Sequence, residues 1–415
     1  MLVIGMNNKE QQIPAIRFKG FTDAWEQRKL EELAESFNYG LNASAMEFDG
    51  ENKYIRITDI DEQSHKFIQS GLTSPNIDLL NADDYLLKEG DILFARTGAS
   101  VGKSYQYEPL DGKVYFAGFL IRARIKPEFD PSFIFQNTLT EKYNNFIKVT
   151  SQRSGQPGVN AQEYANFSIL IPSRGEQVKL GNFFKQLDDT IALHQRQLNK
   201  YNKLKKTLLQ KMFPKSGAKS SEIRFDGFTE EWKQCKLDQI VIERNQQVQE
   251  SIDFPLMSFT AKDGVTPKSD RYNREFLVKS DNKKYKKTEL GDLIYSSNNL
   301  DVGSIGINKT GNAVISSVYS IFYTRDGITP EFVDMLIQRK DFINKMIQFR
   351  QGVVYGQWRI HESDFLKIET RIPSSKEQIK MGALFKQIDN TIAFHQQKVN
   401  DYKKLKEAVL KKMFI

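Results

Sequence analysis

The chain has 415 residues, 39% of them apolar and 27% charged, and a single cysteine, Cys235. That length favours at least two cores, the composition is ordinary for a globular protein, and one thiol excludes an intrachain disulfide framework. The formal net charge of +8 permits contacts with phosphate but does not by itself require them.

The opening MLVIGMNNKEQQ has an apolar start of only a few residues. It lacks the apolar region and cleavage site of a secretory leader. No run approaches the ~20 apolar residues that a membrane span needs. A cytoplasmic location is expected, with residues 1–13 as a tail.

A mixed, β-rich domain with short helices is predicted over 14–170. YIRITDI (54–60), DILFAR (91–96) and KVYFAGFLIRARI (113–125) read as strands, and PSFIFQNTLTEKYNNFIKVT (131–150) as a helix. The stretch Gly98 to Ser104 imitates a phosphate-binding loop, but it has three residues between its glycines where that loop needs four. More strand follows, so no helix N-terminus is available for phosphate. The same residues suit DNA. Arg96, Thr97, Ser100, Lys103 and Ser104 offer donors on a glycine-bearing loop, and arginine bonds guanine O6 and N7 in pairs. Arg153, Ser154 and Gln156 form a second candidate group.

A long helix is predicted over 171–213. Ser173 and Glu176 are spaced as in a capping box. Leu180, Phe184, Leu187, Ile191, His194, Leu198 and Tyr201 alternate steps of four and three, which is a heptad seam. Residues 214–221 hold Pro, Gly and Ser and read as a linker.

A second mixed domain is expected over 222–371. GDLIYSS (291–297) and AVISSVYSIFYT (313–324) read as strands, and PEFVDMLIQRKDFINKMIQ (330–348) as a helix. Its candidate nucleic-acid contacts are Ser297, Asn298, Asn299, Arg350, Tyr355, Gln357, Trp358 and Arg359. Asn and Gln pair well with adenine N6 and N7. The last segment, 372–415, is a second long helix, with Ser374 and Glu377 as its capping box. Its seam runs through Met381, Phe385, Ile388, Ile392, His395, Val399 and Tyr402.

The chain is therefore a tandem repeat. Residues 171–213 and 372–414 are identical at 25 of 43 positions, at a constant offset of 201. IRFKGFTDAWEQRKL (16–30) returns at 223–237 as IRFDGFTEEWKQCKL, at an offset of 207. Gly90-Asp91 answers Gly291-Asp292, and Gly155-Gln156 answers Gly356-Gln357. The middles differ strongly. The expected fold is α+β: two similar mixed α/β domains separated by two near-identical long helices, which form an antiparallel, pseudo-twofold coiled coil. About 36 residues at ~1.5 Å make each rod roughly 54 Å long. His194 and His395 fall at mid-helix and read as a polar pair that sets the register. No metal-ligand spacing is present. No methyltransferase, hydrolase or nuclease motif is visible, so the chain reads as a binder without a catalytic site.

Two variable domains alternating with two near-identical helices closely resemble the specificity (S) subunit of type I restriction-modification enzymes. GDILFARTG (90–98), SGQPGVN (154–160), IPSRGEQ and IPSSKEQ carry the local likeness. The second domain departs from it, with SSNNLDVGS where the first has ARTGASVGKS. The resemblance implies two target-recognition domains, each reading half of a split double-stranded DNA site, with the helices setting the unread spacer. It implies two methyltransferase subunits using S-adenosylmethionine to methylate adenine, and restriction (helicase-nuclease) subunits using ATP and Mg2+. Two other readings stay open: a stand-alone sequence-specific DNA-binding protein, and a coiled-coil assembly protein.

Overall fold

The computed structural model describes residues 2–4, 12–153, 155–260, 264–267, 283–296, 304–354 and 357–415, with backbone alone at 2–4, 351–354 and 357–359. The chain divides into two compact units, Met1–Gln197 with His395–Ile415, and Leu198–Phe394. Each unit thus holds a piece of both long helices.

The first unit is built on a four-stranded antiparallel sheet in the order Ala34–Tyr39, Leu120–Ile125, Asp91–Ala95, Ser104–Gln106. The second unit repeats that order with Val241–Glu243, Ser320–Thr324, Leu293–Tyr295, Ile305–Ile307. An entry strand pairs antiparallel with the strand before each long helix: Glu26–Lys29 with Ser168–Ile171, and Lys233–Lys236 with Glu369–Ile372. The repeated Gly-Asp motif has a structural cause. Gly90 and Gly291 turn the chain at φ of 92° and 89°, a region that side chains disfavour. Asp91 then accepts from Lys88 N at 2.8 Å and from Arg124 Nε and Nη2. Asp292 accepts likewise from Glu289 N and from Arg244.

Three expectations of regular structure shorten on folding. YIRITDI holds only the strand Lys53–Ile55, because Asp59 accepts from both the backbone N and the guanidinium of Arg56 and closes a 3-10 turn over Ile57–Asp59. The stretch 131–150 becomes two helices, Pro131–Asn137 and Glu141–Thr150. Thr138 Oγ1 and Thr140 Oγ1 bond back to Phe135 O and Asn137 O, and Thr140 caps the second helix through Tyr143 N. The stretch 330–348 likewise splits into Pro330–Ile337 and Lys340–Gln348.

The long helices are Arg174–Lys211 and Ser375–Met413. In the first unit the start of one packs antiparallel on the end of the other. Leu180, Phe184 and Leu187 join Val409, Leu410, Met413 and Phe414 in one core with Trp25 and Phe133. Asp188 Oδ1 receives Lys406 at 2.7 Å. His194 Nδ1 lies 2.9 Å from His395 Nδ1, and Tyr402 stacks on the His194 ring. The second unit makes the equivalent contacts: Met212 and Phe213 pack with Trp232, Phe332, Met381 and Phe385, and Lys205 pairs with Asp389 at 2.7 Å. The remaining seam positions Leu198, Ile388 and Val399 are buried, while Ile191, Tyr201 and Ile392 are half-buried.

The expected capping boxes form only in part: Ser374 Oγ accepts from Glu377 N at 3.4 Å, while Glu176 N bonds the Ser173 carbonyl, and both glutamate side chains point elsewhere. Glu176 turns inward to Arg17 and Glu377 to Arg224. The glutamines that follow clamp a neighbouring helix start. Gln177 accepts from Asp130 N at 3.0 Å and donates to Pro172 O at 2.9 Å. Gln378 does the same with Thr329 N and Pro373 O, at 3.1 Å each. Among the described residues no helix is long and apolar enough to cross a membrane, and no group of three or more metal-ligating side chains converges.

Candidate nucleic-acid interface

In the first unit Arg96 follows the strand Asp91–Ala95, and the chain loops back to the strand Ser104–Gln106. A second loop, after the helix Glu141–Thr150, lies against it. Gly98 N donates to Pro157 O at 3.0 Å, Val159 N donates to Arg96 O at 2.9 Å, and Thr97 bridges Gly158. Two groups of candidates more than fifty residues apart in sequence thus share one surface. Arg96, Thr97 and Ser100 are half-buried, and Gln156 is exposed with its amide nitrogen over Gly98.

Tyr39 completes this surface, and sequence reasoning missed it. Its ring lies 4.9 Å from the Arg96 guanidinium carbon, and its hydroxyl accepts from Ala161 N at 3.2 Å. Arg96 Nη1 also reaches Gly118 O at 3.4 Å. The guanidinium is therefore held at the surface by an aromatic face and one carbonyl, with further donors free for an acceptor. No spacing rule links Tyr39 to Arg96, because adjacency comes from the sheet and the loop that leaves it.

Other candidates are placed differently. Ser104 is fully buried and shares a 2.6 Å hydrogen bond with Thr138. Lys103 bends inward, donating to Ile60 O at 3.1 Å and pairing with Glu62. Both hold loops together and do not face the outer surface. Arg153 is partly exposed, but its guanidinium is engaged by Glu163 and by the carbonyls of Thr150 and Gln152. Ser154 lies outside the described residues.

In the second unit Ser297, Asn298, Asn299 and Tyr355 lie outside the described residues. Gln357, Trp358 and Arg359 form a short strand that pairs antiparallel with Gln351–Val354, where the sequence suggests a loop. Arg350, half-buried, precedes that hairpin.

Residues 22–203 match the family model described as the type I restriction modification DNA specificity domain. Over 369 residues the chain is 22% identical to the type I restriction enzyme MjaVIII specificity subunit of Methanocaldococcus jannaschii, covering 84% of this chain and 83% of that one. It is 22% identical over 440 residues to the putative type I restriction enzyme MjaX specificity subunit of the same organism, covering 99% and 97%. The crystal structure of a type I restriction-modification system S subunit from M. genitalium aligns with a TM-score of 0.65 at 13% identity, over 97% of this chain and 99% of that one, a likeness of fold.

Proposed function

We propose that the chain is a specificity subunit of a type I restriction-modification enzyme, as its likeness to that family supports, and that each of its units reads one half of a bipartite DNA site. It directs adenine methylation and restriction by partner subunits and carries no catalytic site of its own. The observation that carries this reading is the repeated frame with unlike loops. Both units build the same four-stranded order, while the segments leaving those strands differ in sequence. Two different loop sets on one scaffold suit two different half-sites.

In the first unit the paired loops present Arg96, Thr97, Ser100 and Gln156 together. One good bidentate contact contributes about 1–3 kcal/mol of discrimination, and a few such contacts per unit suffice for a short half-site. The basic balance of +8 adds phosphate contacts that set position and non-specific affinity. The proposed partners are two methyltransferase subunits, which use S-adenosylmethionine, and restriction subunits, which use ATP and Mg2+.

Sequencing methylated adenines in cells with and without this gene tests the reading. The expected result is methylation at an asymmetric motif with an unread gap. A single continuous motif, or no difference between the two genomes, overturns it.

A further inference from the structure

Both units expose an apolar side chain at the same point of the same sheet. In the first, a tight turn joins the strand Val114–Phe116 to Leu120–Ile125. Leu120 N donates to Ala117 O at 2.8 Å, and Phe119, at the tip, is 63% exposed. In the second, a turn joins Ala313–Ile315 to Ser320–Thr324. Tyr319 N donates to Ser316 O at 3.4 Å, and Val318 is 67% exposed.

The sheet register makes these two tips equivalent. Ile121 faces Phe94 and Ser320 faces Tyr295. Phe94 and Tyr295 each stand three residues after the Asp of the repeated Gly-Asp motif. Counting back two positions from Ile121 and from Ser320 gives Phe119 and Val318. One exposed apolar side chain is unremarkable. The same position exposed in both halves, with a different apolar residue in each, is a repeated feature of the frame.

The first turn is tied to the surface described above. Arg96 N donates to Phe119 O at 3.1 Å, and Arg96 Nη1 reaches Gly118 O. The ring of Phe119 is thus carried on the backbone that positions Arg96. In the major groove the apolar feature that marks one base is the thymine C5-methyl group.

We propose that Phe119 and Val318 are specificity-determining residues, each contacting a thymine methyl in the half-site read by its own unit. This rests on the bipartite DNA-reading function proposed above. The larger ring of Phe119 covers more of its base pair than Val318 does, so the two units differ here in reach as well as in polar loops.

The test uses the assembled complex of this chain with its methyltransferase subunits, on duplexes carrying the mapped site. Each thymine is replaced in turn by deoxyuridine, which removes only the methyl group. The unmodified complex is expected to lose affinity by about four-fold at one thymine in each half-site, the effect of one lost apolar carbon. Phe119→Ala abolishes that sensitivity in one half-site and Val318→Ala in the other. Phe119→Leu, which keeps an apolar tip, retains it. Thermal melting shows that the variants fold.

The proposal is overturned if no thymine is distinguished from uracil, or if the distinction survives both alanine variants. It is also overturned if Phe119→Ala weakens binding equally at every position, or strips the complex of its partner subunits. Failure to map any bipartite site defeats the parent reading first, before these duplexes are made.

Discussion

Glu176 accepts two hydrogen bonds from the Arg17 guanidinium, at 2.9 Å and 2.7 Å, with both side chains buried. Arg224 donates at the same two distances to Glu377. The pair ties an entry segment to the first turn of a long helix more than 150 residues away in sequence. Removing one partner of a buried pair strands the other charge, at about 3–5 kcal/mol. Glu176→Gln is expected to destabilise the protein by that amount in urea denaturation. Replacing both partners with apolar residues, Arg17→Met with Glu176→Leu, is expected to recover most of it. A loss below about 1 kcal/mol for the single change, the value of an exposed pair, contradicts the assignment.

Gly181 lies where the first long helix crosses the start of the helix Pro131–Asn137. A Cβ there would stand 2.3 Å from Asp130 Oδ1 and 3.1 Å from Phe133 N, the acceptor and donor of that helix's cap. Gly181→Ala gains about 1 kcal/mol of helix propensity but overpacks a backbone contact, which typically costs about 1–3 kcal/mol. The net effect is expected to be a lower Tm. At Gly382 the added carbon meets Glu331 Cβ, an atom fixed to the backbone, at the longer distance of 2.9 Å, so Gly382→Ala is expected to lower Tm as well, by less. Paired melting curves check the order.

Arg96 and Ser104 stand at the two ends of the same connection, one half-buried at the surface and the other fully buried, which separates reading from folding. Arg96→Ala is expected to relax one position of one half-site and weaken binding about 5- to 150-fold, equivalent to about 1–3 kcal/mol. Its Tm should barely move. Ser104→Ala removes a buried hydrogen bond to Thr138 and is expected to lower stability by about 1–3 kcal/mol, with the recognised site unchanged. Methylome profiles and melting curves of the two variants should show these opposite signatures.

Burial lowers the pKa of His65 against the hydrogen bond to the Ser104 carbonyl, and the nearby Lys406 and Lys103 push it down further against Asp188. Its Nδ1 stands 3.0 Å from Ser104 O. The unfolded chain takes up this proton near the ordinary value of 6.5, while the folded chain resists it until lower pH. Stability from this group is therefore complete above 6.5 and falls as pH drops below it, until the folded ring is also protonated. His194, lowered by burial and then by His395 and Lys398, acts in the same direction. His65→Asn removes one titration and tolerates the left-handed φ of 55° at this position. The fall in Tm between pH about 7.5 and about 5.5 is expected to be smaller in that variant.

The parts of the structure legible in the sequence are those governed by periodicity and repetition. Leu180, Phe184 and Leu187 declare a seam by spacing alone, and their burial follows from it. What the sequence conceals are contacts chosen by single side chains. Ser173 and Glu176 have capping-box spacing, yet the buried guanidinium of Arg17 claims the carboxylate. Arg56 with Asp59, and Thr138 with Thr140, stop a strand and a helix through local bonds that leave no periodic trace. The candidate surface was half legible. Polar loop residues suggested Arg96 and Gln156, but Lys103 and Ser104 look equally suitable until the fold turns them inward. Tyr39 carries no signal, because its partner is supplied by sheet topology.

The packing of Phe414 against Trp25 and Phe133 bears on the order in which the molecule matures. A ribosome that has just passed Ile171 has made every strand of the first unit, yet must add more than 200 further residues before that ring exists. At 5–20 residues per second that is on the order of ten seconds or more. Through that interval the early half waits with a vacancy beside its tryptophan. The later half receives its own plug, Phe213, from the segment just past the first long helix, already synthesised, so the half begun second is the one positioned to finish first.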